Sequence, residues 1–228
     1  TDYGDWDSTF TLDLLKKFIK EYYRVLRNGG TCIVFFDIWK LSELKEIMES
    51  VGFKQIRFIE WIKTNPQPLN SSVNYLTNCR EIALLGVKRG KPTFNSKYDN
   101  GIYEFPLQGG KHRFHPTQKS LALFEELIKK HSNPGDIVID TFMGSGTTAR
   151  AAKNTGRNFF GTELNETVIQ KILEAKNLKT QKRRHIAQLN QNIEFEKVAG
   201  DDDGIYQQEL SQLKLELGVF WNQIKTYE

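Results

Sequence analysis

Apolar positions along the first half of the chain follow two alternating rhythms. From Thr11 to Leu26, Leu12, Leu15, Phe18, Ile19, Tyr22 and Leu26 recur every three or four residues, which makes one stripe of a helix. Gly29-Gly30 stops it. Thr31 to Phe36 is a short continuous apolar run, read as a buried strand ending at Asp37. That acid is placed either to line a site at the strand's carboxyl end or to cap the next helix. Leu41 to Val51 predicts a second helix, Phe53 to Ile62 a second strand, and Glu81 to Val87 a third. The alternation predicts an α/β domain with a mostly parallel sheet and helices on both faces.

The rhythm breaks between residues 88 and 114. Lys88, Arg89, Lys91, Lys97, Lys111 and Arg113 are interleaved there with Phe94, Tyr98, Tyr103, Phe105 and Phe114, among glycines and prolines. Basic groups in such a stretch can neutralise phosphates while aromatics stack on or wedge beside a base. The plainer alternative is a solvated loop whose aromatics tuck onto the core.

Periodicity returns with a helix that has His115-Pro116-Thr117-Gln118-Lys119 at its start. Next come an apolar run, Ile137-Val138-Ile139, ending in Asp140, and a glycine turn, Gly144-Ser145-Gly146. A helical segment from Thr147 to Asn154 follows, and then a second run, Phe159-Phe160-Gly161, ending near Glu163. Strand, glycine loop, helix, strand, acid is half of a nucleotide-binding α/β unit. The glycines let the backbone turn sharply and approach a ligand closely, and the following helix would aim its first N–H groups at it. Glu163 is placed to accept hydrogen bonds from ribose hydroxyls. The competing explanation is a tight strand-to-helix turn and nothing more.

A phosphate-binding P-loop would need Gly-Lys-Ser/Thr, and this chain has Gly146-Thr147-Thr148. Gly144-x-Gly146-x-x-Ala149 fits a dinucleotide pattern. S-adenosylmethionine (AdoMet) would present its ribose to the same acid. The segment from His115 to Glu163, with H-P-T-x-K, D-x-F-x-G-S-G-T and G-x-E in that order, resembles the amino-methyltransferases that act on exocyclic nitrogens of DNA bases. It looks most like their permuted β group. The likeness extends weakly back through Trp61-Ile62-Lys63-Thr64-Asn65-Pro66-Gln67-Pro68 to Gly4-Asp5-Trp6-Asp7, covering residues 1–177.

The resemblance implies a Rossmann-like AdoMet-dependent methyltransferase fold with circularly permuted motif order. Asp140, Phe142, Gly144, Ser145 and Gly146 would line the AdoMet pocket, Glu163 would hold the ribose, and His115, Thr117 and Lys119 would face the methionine end. Lys119 could equally be a solvated surface lysine, and His115-Pro116 a helix-entry turn. Residues 88–114 fall where the family carries its target-recognition insert, which marks Lys88, Arg89, Lys91, Lys111 and Arg113 as candidate DNA contacts. The implied activity is methyl transfer from AdoMet to the amine of a flipped base in double-stranded DNA. Adenine N6 is favoured over cytosine N4, in the setting of a restriction-modification system.

The family's catalytic tetrapeptide, D/N/S-P-P-Y/F/W, does not occur, because no two of the six prolines are adjacent. Catalytic residues are therefore unassigned, and a non-catalytic, methyltransferase-like partner subunit stands as the alternative. In the family a strand and this motif precede a sequence like Gly4-Asp5-Trp6-Asp7, so the natural polypeptide is expected to be longer at its N-terminus. Asn65-Pro66-Gln67-Pro68 is read instead as a loop bordering the base pocket or DNA.

A net charge of +4 is compatible with DNA but does not demand it. Cys32 and Cys79 sit in apolar strand-like contexts, and the four histidines lack zinc-ligand spacing, so a reduced cytoplasmic protein without a metal is expected. No apolar run reaches membrane-spanning length. Residues 178–228 read as a helical extension: a basic run at Lys179, Lys182, Arg183 and Arg184, then Leu210, Leu213, Leu217, Phe220 and Ile224 at helical spacing. That apolar stripe needs the core, a second copy or a partner subunit to cover it.

Overall fold

The computed structural model describes residues 10–66, 78–108, 118–166 and 168–170, with further helical positions at 174, 177, 181, 184, 187 and 190. Gly4 to Asp7, Gln67-Pro68 and the apolar stripe from Leu210 to Ile224 lie outside the described residues. The chain forms two compact units, one of Thr1–Leu107 with Glu126–Asp136, the other of Gln108–Glu125 with Ile137–Glu228.

In the first unit, helix α1 (Leu12–Val25) starts where the Thr11 hydroxyl accepts the Leu14 N–H at 3.2 Å, and it buries Leu15 and Ile19 from the expected stripe. Strand β1 (Thr31–Phe36) leads through a short 3₁₀ turn (Ile38–Lys40) into helix α2 (Leu41–Val51). Strands β2 (Lys54–Lys63), β3 (Arg80–Val87) and β4 (Ile102–Phe105) complete a sheet of order β1-β3-β2-β4. Leu15, Ile19, Cys32, Leu44, Met48, Phe53 and Leu84 make its buried core. Gly86 on β3 lets α2 approach: a Cβ there would lie 2.6 Å from the Met48 methyl and 3.1 Å from Phe53 Cβ. Burial pushes the Cys32 thiol up to about 12, which leaves it neutral and unreactive.

The expected parallel sheet holds between β2 and β4, but β3 runs antiparallel to both β1 and β2. The cause is visible in the register. Ile62 pairs with Arg80, so β3 begins where β2 ends and the chain doubles back with no crossover to make. β1, β2 and β4 therefore share one direction, and their carboxyl ends lie on one edge of the sheet.

β4 falls within the stretch from 88 to 114, which was read as irregular. Asn95 fastens that stretch to helix α3 (Leu121–His131). Its backbone N–H donates to the Lys130 carbonyl at 2.8 Å, and its side-chain amide donates to the carbonyls of Lys129 at 3.0 Å and Ser132 at 2.8 Å, closing the helix's last turn. Asp99 adds a second fastening by accepting from the Tyr103 hydroxyl at 2.6 Å and from Lys130 Nζ at 2.7 Å.

In the second unit, strands β5 (Ile137–Asp140) and β6 (Asn158–Gly161) pair in parallel, and helix α4 (Thr147–Asn154) joins them. Asn154 on α4 donates to Glu125 at 2.7 Å. One face of this pair is open: Ile137 is 67% exposed, Ile139 43% and Phe160 60%. Among the described residues no helix is long and apolar enough to cross a membrane.

Candidate functional site

The second unit holds the glycine loop and both acids that flank it. β5 delivers Asp140 to the loop's start. Asp140 Oδ1 accepts the Phe142 N–H at 3.0 Å, and Oδ2 accepts the Thr148 hydroxyl from the first turn of α4. The backbone then closes on itself, with Gly146 N–H donating to the Met143 carbonyl at 2.8 Å. Gly144 and Gly146 sit at φ of +47° and +78°, in the left-handed region that favours glycine. Among the described residues no atom lies within 4 Å of where a Gly146 Cβ would be, which leaves that side of the loop room for a ligand.

β6 brings the second acid to the same loop. Glu163 Oε2 accepts the Gly144 N–H at 2.7 Å, and Oε1 accepts the Asn165 N–H at 2.8 Å. Met143 N–H to the Thr162 carbonyl at 3.2 Å and Thr162 Oγ1 to the Thr141 carbonyl at 2.9 Å add further ties between loop and strand end. Asp140 is half-buried, and desolvation raises its carboxyl above the usual range. The bonds from Thr148 and Phe142 oppose that shift, and the nearby negative charge of Glu163 adds to it.

Phe142 is 53% exposed and Leu164 86%, so two apolar side chains stand open beside the acids. Ser145 is buried, and its hydroxyl lies 3.3 Å from that of Thr147. Lys119 is half-buried at the head of α3, between buried Gln118 and Ser120, while His115 and Thr117 lie outside the described residues. Sequence reasoning missed Thr148, Leu164 and Asn165. A hydroxyl in the first turn of the helix after a strand-end aspartate was the available signal for Thr148. Leu164 and Asn165 were marked only by following Glu163.

The basic set has a different geometry. Lys88 Nζ donates to the carbonyls of Arg24 at 3.1 Å and Leu26 at 2.6 Å and lies 5.1 Å over the Tyr23 ring, so it closes the C-terminus of α1. Arg89 and Lys91 are exposed beside it, at the amino end of β1, where Thr31 pairs with Val87. Lys111 and Arg113 lie outside the described residues. Asp37 caps: its carboxylate accepts the Trp39 N–H at 3.0 Å. Trp61 is fully buried and donates from Nε1 to the Phe105 carbonyl at 2.8 Å. The Asn65 side chain accepts the Leu107 N–H at 2.6 Å, so this segment ties β2 to the end of β4.

Comparison with known proteins decides the family. A sequence family described as DNA methylase, covering N6 and N4 enzymes, matches residues 1–174. The chain belongs to this N6/N4 DNA methylase family. It is 32% identical over 200 residues to the Type II methyltransferase M2.DpnII of Streptococcus pneumoniae, spanning 77% of this chain and 74% of that protein. Among solved structures, the M1.HpyAVI–SAM complex superposes with a TM-score of 0.61 at 38% identity, over 68% of this chain and 78% of that one. PvuII DNA methyltransferase, which is cytosine-N4-specific, shares the fold at a TM-score of 0.59 and 18% identity, over 72% of this chain and 70% of that one. The DNA methylase described here thus has the class I AdoMet-dependent methyltransferase fold.

Proposed function

We propose that this DNA methylase methylates the N6 amine of an adenine extruded from duplex DNA, as the modification enzyme of a restriction-modification system, with AdoMet as methyl donor. The observation that carries the reading is the bond from the Gly144 N–H to Glu163 Oε2, which sets the ribose-type acid directly on the glycine loop. The residues present fit the cofactor. An open glycine cradle, two acids for a cationic, hydroxyl-bearing ligand, and the exposed Phe142 and Leu164 for a purine ring stand in one unit.

AdoMet supplies a methyl group already activated by the positive charge on its sulfur, so the protein's part is to bind, orient and exclude water. Glu163 keeps lone pairs beyond its two backbone bonds and offers them to the ribose hydroxyls. Asp140, braced by Thr148, fixes the loop around Gly144 and Gly146. Lys119, with His115 and Thr117, would meet the methionine carboxylate by charge and hydrogen bonding. Residues 1–177 would form the methyltransferase core, 88–114 its recognition insert, and 178–228 an extension. The protein would work in the cytoplasm, where its DNA is.

Adenine as the target rests on the family resemblance, with cytosine N4 as the alternative. The alternative from a different class is a subunit that binds cofactor and DNA without transferring the methyl group. The protein is incubated with tritiated AdoMet and unmethylated DNA, and the digested nucleosides are separated. Label in N6-methyladenine supports the proposal. Label in N4-methylcytosine transfers it to cytosine, and AdoMet binding with no labelled base points to the subunit.

A further inference from the structure

The carboxyl edge of the first unit's sheet carries an exposed aromatic turn. Directly after β1, Trp39 is 87% exposed and Ile38 53% exposed, and exposed Lys40 follows. The segment is held in place: the Asp37 carboxylate accepts the Trp39 N–H at 3.0 Å, and the Asp37 carbonyl accepts the Lys40 N–H at 3.0 Å. Trp39 therefore presents a broad indole face to solvent from a backbone turn that is already fixed, so stacking on a ligand would cost little further ordering. Open α/β sheets take their ligands beyond the carboxyl ends of their strands, and Trp39 stands at that end of β1. Arg80, at the same edge where β3 begins, keeps its side chain 63% exposed although it pairs with Glu60 at 3.1 Å. Lys88, Arg89 and Lys91 follow β3 at the opposite edge, and the first of them closes α1.

We infer that Trp39 is a DNA-contacting residue, its indole stacking on or wedging beside a base while Lys40 meets the neighbouring phosphate. Every base presents a face that an indole can cover, and a cation one residue away matches the backbone's charge. The inference rests on the proposal that duplex DNA is the substrate. Trp39 then sets how the DNA seats.

Short fluorescein-labelled duplexes of mixed sequence, titrated with full-chain protein, test it by anisotropy and by tryptophan emission. Trp39→Ala should weaken DNA binding about tenfold, the scale of one lost base–aromatic contact. Trp39→Phe should stay close to wild type in affinity yet lose the emission change that DNA induces. Melting temperature should be unchanged in both variants, since the side chain is exposed. Unaltered DNA affinity in Trp39→Ala overturns the inference, as does an affinity loss confined to an Arg89→Ala/Lys91→Ala variant. A change in molecular mass by light scattering in Trp39→Ala also overturns it, because it places the indole in a protein interface. A wild-type chain that binds no duplex defeats the underlying DNA reading instead.

Discussion

Gly144 donates its backbone N–H to Glu163 Oε2 at 2.7 Å, across nineteen positions of sequence. The acid at the end of β6 is therefore part of the loop that follows β5, and the two parts of the motif cannot shift independently.

Replacing Glu163 by Ala should remove both the ribose acceptor and the loop's anchor. AdoMet affinity measured by calorimetry should fall by about 10- to 100-fold, as expected for losing one or two charge-assisted hydrogen bonds. Glu163→Gln keeps one carbonyl acceptor and should fall between Ala and wild type. Equal affinity in all three proteins would remove Glu163 from the site.

Asp140 gives the site a pH dependence. Burial raises its carboxyl, so the folded chain holds that proton more tightly than the unfolded chain does. The protonated form accordingly favours folding at low pH, and that contribution is lost as pH rises through the raised value. A cationic ligand prefers the ionised form, so AdoMet affinity should climb over the same window, just above the ordinary carboxylate range. Asp140→Asn should flatten the curve, which calorimetry across a pH series will show.

Lys88→Ala should act on stability. Losing the ammonium that closes α1 through the Arg24 and Leu26 carbonyls should cost about 1 kcal/mol, at the upper end of what a cation at a helix C-terminus contributes. Thermal melts should register this loss, and DNA anisotropy should not change.

His131, its ring tilted 42° to that of Phe94 with centroids 5.5 Å apart, is pushed down to about 4 by burial. Asp99 works against that shift and Lys130 with it. A depressed imidazole stabilises the fold above the ordinary histidine range, and the contribution is lost as pH falls toward its folded value. Urea unfolding should therefore show stability falling between about pH 6.5 and pH 4. His131→Phe should remove that part of the slope.

Much of this was legible in the chain. Thr31–Phe36, Leu41–Val51 and Thr147–Asn154 lie where their apolar patterns put them, because burial on one face or both leaves a period that can be read directly. The direction of β3 was not legible, since a period of two is the same in either sense along a strand. β4 escaped because four residues among turn formers make too short a pattern. Lys88 shows the limit for charge. Its sequence neighbours are basic and aromatic, but its partners are carbonyls sixty-two and sixty-four positions away, and composition carries nothing of that distance. The glycine loop was the clearest part of the site, because left-handed backbone is written in the residue type itself. Thr148 and Leu164 gave no such sign.

The open face of β5 and β6 has a practical consequence. Ile137, Ile139 and Phe160 present greasy surface in the folded chain. Hydrophobic reporter dyes such as ANS should therefore fluoresce on the native protein before any heating. A dye-based melting scan would start from a high baseline and could misreport ligand effects as unfolding. Circular dichroism is the sounder readout, and mild non-ionic detergent should improve the solubility of the purified chain.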